Sequence, residues 1–155
     1  MKRLLFVAIL ALCLVVPIGA SANPPNQDKV DGTVEDTYPT TLHVNAISDA
    51  DGANARGHLW YELGDPASIQ VAGEVTCMNV QANLATVGMR IDRSKLPGFP
   101  GEGNGFLFII TDNGEPGDMD THLDIPQTAP PTTCPSPFLF PFPHDHGNFI
   151  VRDAP

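Results

Sequence analysis

Apolar and polar side chains alternate with a period of two through the middle of the chain. In residues 69–80, Ile69, Val71, Val75 and Cys77 share one parity, and Gln70, Glu74 and Thr76 share the other. In residues 84–91 the parity of Ala85, Val87, Met89 and Ile91 is apolar throughout. Successive side chains of a strand point to opposite faces, so both segments are predicted as half-buried strands. Residues 105–112 are apolar on both parities (Phe106, Phe108, Ile110 and Leu107, Ile109), the pattern of a strand covered on both sides. Gln81-Ala82-Asn83 is short enough for a hairpin turn, which makes the first two strands antiparallel neighbours.

Weaker signals extend the pattern in both directions. Residues 30–35 are predicted as a short edge strand, and residues 40–48 as a strand with Leu42, Val44 and Ala46 on one face. Residues 49–57 are rich in Asp, Gly and Asn and form a turn. In residues 57–63, Leu59, Tyr61 and Leu63 suit a core, which leaves Trp60 on the outer face. Residues 92–104 form a loop, residues 121–125 a weak strand and residues 148–152 a last strand. No segment carries a 3.6-residue apolar period. The prediction is an all-β fold, a small antiparallel β-sandwich or partly open barrel of about seven to eight strands.

Residues 126–143 interrupt the pattern with seven prolines, which exclude a helix interior and a central strand. This stretch should run extended over the surface, within a Pro-, Phe- and His-rich segment spanning 126–147.

The N-terminus reads as a processing signal. Lys2 and Arg3 precede the apolar run 4–16, and Ala20-Ser21-Ala22 supplies small residues for cleavage near Ala22. The run is short for a transmembrane helix and Pro17 and Gly19 end it, so no transmembrane anchor is expected. Residues 23–155 then form a single secreted domain, extracellular or periplasmic. The formal net charge of −10 becomes more negative once Lys2 and Arg3 are removed. Such a surface repels phosphate backbones, which argues against nucleic acid as a partner. Cys13 falls within the leader, leaving Cys77 and Cys134, and two cysteines in an exported protein most often pair.

The run VAGEVTCMNVQANLATVG, with GFLFIITDNGEPGDMD and GNFIVRDA after it, resembles a group of small secreted bacterial β-proteins and modules. A V-x-G-x-V-T-C strand, an N-x-A turn and a D-N-G-x-P-G-x-x-D turn recur there in this order. The resemblance covers residues 42–153. It implies a β fold, export and pairing of Cys77 with Cys134, and it implies no established activity.

Three features carry candidate chemistry. The turn 112–120 gathers four carboxylates and an amide, among them Asp112, Asn113, Asp118 and Asp120. Hard cations such as Ca²⁺ take six to eight oxygen ligands, so this turn is a candidate calcium site. The alternative is a hairpin loop in which Asn113-Gly114 and Pro116-Gly117 set turn geometry. His144 and His146 project to one side of an extended segment, and with Asp145, His58 or His122 could hold Zn²⁺ or Cu²⁺. The alternative there is a solvated polar turn. Phe138, Phe140 and Phe142 alternate along the Pro-rich segment. They form either a lid over the sheet, the reading favoured here, or an exposed binding stripe. Trp60 poses the same question.

The sequence has no Gly-x-Ser-x-Gly elbow, phosphate-cradling glycine loop or His-Glu-x-x-His motif. The expectation is a secreted, non-catalytic β-module with a binding or structural role, its partner an extracellular protein or polysaccharide. The rival is a small metal-dependent enzyme or hydrolase built on His144 and His146.

Overall fold

A computed structural model of the protein describes residues 26–36, 40–64, 69–95, 101–114, 120–139 and 146–155. The proposed leader, Asp118, Phe140, Phe142 and His144 lie outside them. Eight strands follow in order: β1 (Gln27–Asp36), β2 (Thr40–Asp49), β3 (Arg56–Leu63), β4 (Ile69–Gln81), β5 (Leu84–Ser94), β6 (Gly105–Thr111), β7 (Thr121–Gln127) and β8 (His146–Arg152). They form one sheet ordered β7-β6-β5-β4-β3-β2-β1-β8, with every neighbouring pair antiparallel. The chain meanders from β1 to β7, and β8 returns to pair with β1. The expected all-β antiparallel fold is therefore present, as a single curled sheet shaped like a half-barrel.

The predicted alternation decides what faces inward. Leu42, Val44 and Ala46 of β2, Leu59 and Tyr61 of β3, and Ala85, Val87, Met89 and Ile91 of β5 are all buried. Tyr61, Phe106 and Phe108 form an aromatic cluster with ring centroids 5.5–6.0 Å apart. Tilted pairs at this spacing add to the stabilisation from burial alone. β6 is buried on both faces: Phe106, Phe108 and Ile110 point inward, and Ile109 on the other side is 1% exposed. Pro126 stands in β7, an edge strand, where a missing N–H can be tolerated.

Two expectations need correction. Residues 30–35 are not an edge strand, since β1 pairs with β2 on one side and β8 on the other. Nor does Cys77 share the inward parity of Val71 and Val75. A register shift between Val75 and Cys77 turns Met78 and Val80 into the core instead. The extra residue of a β-bulge inverts facing for everything after it. Cys77 is thereby delivered to the outer face, where it is bonded to Cys134 with a Cα–Cα distance of 5.5 Å.

That disulfide pins a strap across the outer face of β4, β5 and β6. Thr76 Oγ1 donates to the Pro131 carbonyl at 2.6 Å, and Asn79 Nδ2 donates to the Cys134 carbonyl at 3.4 Å. Gly88 lies directly beneath: a Cβ there would stand 2.5 Å from Cys77 Sγ and 2.8 Å from Pro131 Cγ. Only glycine admits so close an approach. A bridge closing a loop of 57 residues is worth roughly 4 kcal/mol through the unfolded chain.

The sheet curls until the β6–β7 connection meets β8. β8 uses one edge to pair with β1, and the amides of Phe149 and Val151 point the other way. Asp120 Oδ2 accepts the Phe149 N–H, and Asp112 Oδ2 accepts the Val151 N–H at 2.9 Å. The remaining oxygens accept locally, Asp120 Oδ1 from Asn113 N at 2.8 Å and Asp112 Oδ1 from Gly114 N at 2.9 Å. Two carboxylates thus stand where a further strand would have supplied carbonyls. The tail is fixed similarly, Asp153 Oδ2 accepting from Ala82 N at 2.7 Å and Asp28 Oδ1 from Ala154 N at 2.8 Å.

Asp120 is 2% exposed, so its removal strands the Phe149 N–H in the interior. Asp120→Ala should lower stability by about 2–3 kcal/mol in a denaturant titration, the cost of orphaning a buried donor that had a charged acceptor. Asp120→Asn, which keeps one acceptor oxygen, should fall between the two. Loss of less than about 0.5 kcal/mol, within the range of ordinary surface substitutions, would show that the amide finds another partner.

Candidate ligand-binding face

The strap leaves the outer face of β2, β3, the first half of β4 and the second half of β5 uncovered. Its register places side chains in rows across the strands. One row runs Thr33, His43, Trp60, Ala72 and Arg93. The next runs Asp31, Asn45, His58, Glu74 and Arg90. Trp60 is 40% exposed, and its neighbour across β4 is only an alanine. The height difference produces a depression on either side of the indole. One, of about 400 Å³, is bordered by His43, His58, Glu74 and Asp92. The other, of about 510 Å³, is bordered by Gln70, Lys95 and Glu102. Trp60, Ala72 and Arg93 line both.

Arg93 reaches this face because of a second bulge. Ala72 pairs with Arg93 but Gly73 pairs with Ile91, so Asp92 is an extra residue in β5. Strict alternation after the buried Ile91 would turn Arg93 inward. The bulge instead leaves Asp92 and Arg93 both exposed beside Trp60. Bulges commonly re-aim side chains in this way.

Several polar groups around the indole are held by one another. Arg90 donates to Glu74 at 2.8 Å and to Asp92 at 3.0 Å, and both carboxylates keep the guanidinium charged. Gln70 Nε2 donates to Glu62, Asn45 Nδ2 donates to Asp31 at 3.1 Å, and Thr33 Oγ1 lies 2.6 Å from His43 Nδ1. These exposed pairs add little stability individually. Their effect is to fix side-chain positions around a flat aromatic ring, which lowers the ordering cost of binding.

The candidate metal residues are placed differently. Asp112 and Asp120 face the backbone amides of β8 and their own turn. Asn113 is tied into that turn through its N–H. His146 is exposed on β8 in the row of Glu35, Thr41 and Glu62, three strands from β3, and His58 lies a further four residues along β3 from that row. His122 is buried. His58 and His122 therefore do not join His146. Among the described residues no group of three His, Cys, Asp or Glu is spaced to hold a metal ion.

Of the phenylalanine stripe, Phe138 is 50% exposed, and Phe140 and Phe142 lie outside the described residues, so the choice between lid and stripe stays open. Pro131 and the disulfide cover β5. Phe138 lines neither depression beside Trp60. What the sequence reading missed was the company of Trp60, above all His43, Arg90 and Arg93. The available signal was the adjacent polar pair Asp92-Arg93, which breaks the alternation after Ile91.

A further acidic depression, at the opposite end of β1, holds Asp28 beside Asp51 and Asn79. Asp28 is 1% exposed and accepts from Ser48 Oγ at 3.3 Å as well as from Ala154. Burial raises its pKa above the ordinary 3.8, and the nearby Asp153 carboxylate adds to this, while the Ala154 hydrogen bond opposes it.

The chain matches no family model, no curated protein and no solved structure.

Because the folded pKa of Asp28 is raised, folding favours its protonated form. The associated stability is complete below the unfolded pKa and is lost as pH rises through the folded one. Asp28→Asn keeps an acceptor for Ala154 and does not titrate. It should melt higher than the parent at pH 7, and the gap should close as pH falls towards 3.8. A variant that melts lower at pH 7 would mean that the carboxylate's hydrogen bonds outweigh its burial.

Proposed function

We propose that the chain works outside the cytoplasm as a non-catalytic binding module whose partner is a polysaccharide held on the Trp60 face. Export is supported by the leader-like N-terminus and by the Cys77–Cys134 bond, since disulfides persist in oxidising compartments. The resemblance to small secreted β-proteins fits the same picture. Among the described residues no helix is long and apolar enough to cross a membrane.

The observation that carries the binding role is Trp60. A large aromatic side chain stands exposed in the middle of a mostly polar face, several of whose members are fixed by hydrogen bonds to one another. Nothing in the fold requires an indole there, because the core lies on the opposite side of the sheet. A flat ring stacks on the C–H face of a sugar, while the surrounding carboxylates, imidazoles and guanidinium can bond its hydroxyls. A protein partner would call for a larger apolar centre with several aromatic anchors, and this face has one.

Trp60 is the single tryptophan, so its fluorescence reports its own surroundings. Titration with soluble polysaccharides of the bacterial and plant cell wall should shift the emission and give a saturating curve for at least one of them. Trp60→Ala should lose co-sedimentation with the insoluble form of that polymer while its melting temperature stays within about 2 °C, the range of an exposed substitution. Undiminished co-sedimentation of Trp60→Ala would move the binding surface elsewhere.

A further inference from the structure

The charges around Trp60 are unevenly spent. Of the carboxylates, Glu74 and Asp92 share the one positive charge of Arg90, and Glu62 accepts from the neutral Gln70 amide. Of the cations, Arg90 is engaged twice, whereas Arg93 and Lys95 make no ion pair among the described residues. Glu102, exposed on the rim of the same depression, likewise makes no ion pair among the described residues. Arg93 and Lys95 are thus the cations beside the indole with no ion pair among the described residues, on a face where Glu62, Glu74, Asp92 and Glu102 outnumber Arg90, Arg93 and Lys95 by one, and on a chain whose formal charge is −10. A bulge places one of them, Arg93, in the same cross-strand row as Trp60, with only Ala72 between them.

We propose that the Trp60 depression is a subsite for a carboxylate-bearing sugar, a uronic acid within an otherwise neutral glycan. The proposal rests on the polysaccharide reading above and specifies its ligand. A pyranose ring lying over Ala72 against the indole would direct its carboxylate towards Arg93. A planar guanidinium binds a carboxylate through two parallel N–H···O bonds, a charge-assisted contact stronger than any a neutral hydroxyl can make. Lys95 adds a second positive charge on the same side. The acidic surface beyond the depression sets an upper limit on the ligand's charge density. A dense polyanion would be repelled by the rest of the molecule, whereas an isolated uronic acid between neutral sugars would not.

The test uses the full mature chain and two probes that differ in one charged unit. The first is an aldotetraouronic acid, a xylotriose carrying one glucuronic acid, and the second is neutral xylotetraose. Binding is followed by Trp60 fluorescence and by calorimetry at 0.05 M salt. The acidic probe is expected to bind at least tenfold more tightly. Arg93→Gln should erase that preference by weakening the acidic probe alone, with the melting temperature unchanged because Arg93 is exposed. Trp60→Ala should abolish binding of both. Equal affinity for the two probes, or a preference that survives Arg93→Gln, overturns the carboxylate subsite and leaves the polysaccharide reading standing. Binding of neither probe also overturns the subsite, and the co-sedimentation panel then decides the wider reading by itself.

Discussion

Four backbone amides converge on two carboxylates, Asp112 and Asp120, and that contact holds the curled sheet together. A strand at the end of an eight-stranded sheet exposes unpaired N–H groups on its far edge. In β8 those groups belong to Phe149 and Val151, whose side chains are both in the core. Carboxylate oxygens accept such hydrogen bonds more strongly than carbonyls do, and here they come from the two ends of one turn. The sheet is thereby joined edge to turn without a continuous ninth ladder. Glycine makes the other side of β8 equally close. At Gly147, with φ of +108°, an added Cβ would run into the Thr33 carbonyl and Val34 Cα.

Closing the inner face determines what the outer face can do. Among the described residues apolar burial is concentrated on the inside and under the Pro131 strap, so β2, β3, the first half of β4 and the second half of β5 can carry polar groups. Two rows of five side chains in register make a platform carried chiefly by strands. Trp60 sits at its centre because odd-numbered neighbours in β3 are claimed by the core. Arg93 joins it because one bulge breaks the alternation of β5. The two bulges have separate consequences: one sends Cys77 outward to form the disulfide, and the other brings Arg93 beside the indole.

Much of the fold was legible because period-two alternation is a direct record of which face is buried. It located β2 to β6, the hairpin at Ala82-Asn83 and the outward position of Trp60. It could not show the bulges, since an extra residue in a strand looks locally like imperfect alternation. Cys77 was therefore assigned to the wrong face. Nor could it reveal that β1 is an interior strand, because that depends on β8 returning from the far end of the chain. The acidic turn illustrates a different limit. A sequence displays Asp112 and Asp120 as charges available to a cation, and conceals the amides more than 25 residues away that they in fact receive.

Amide hydrogen exchange tests the closure directly. If Asp112 and Asp120 hold the free edge of β8, the Phe149 and Val151 amides should be protected to within about tenfold of the amides on the β1 side of the same strand, since both edges then open in one cooperative event. In Asp120→Ala the Phe149 amide should lose its protection first, while the β1-side amides keep most of theirs. Exchange of Phe149 and Val151 at rates typical of an open edge in the parent protein would contradict the account, and would leave the sheet with an unsealed β8.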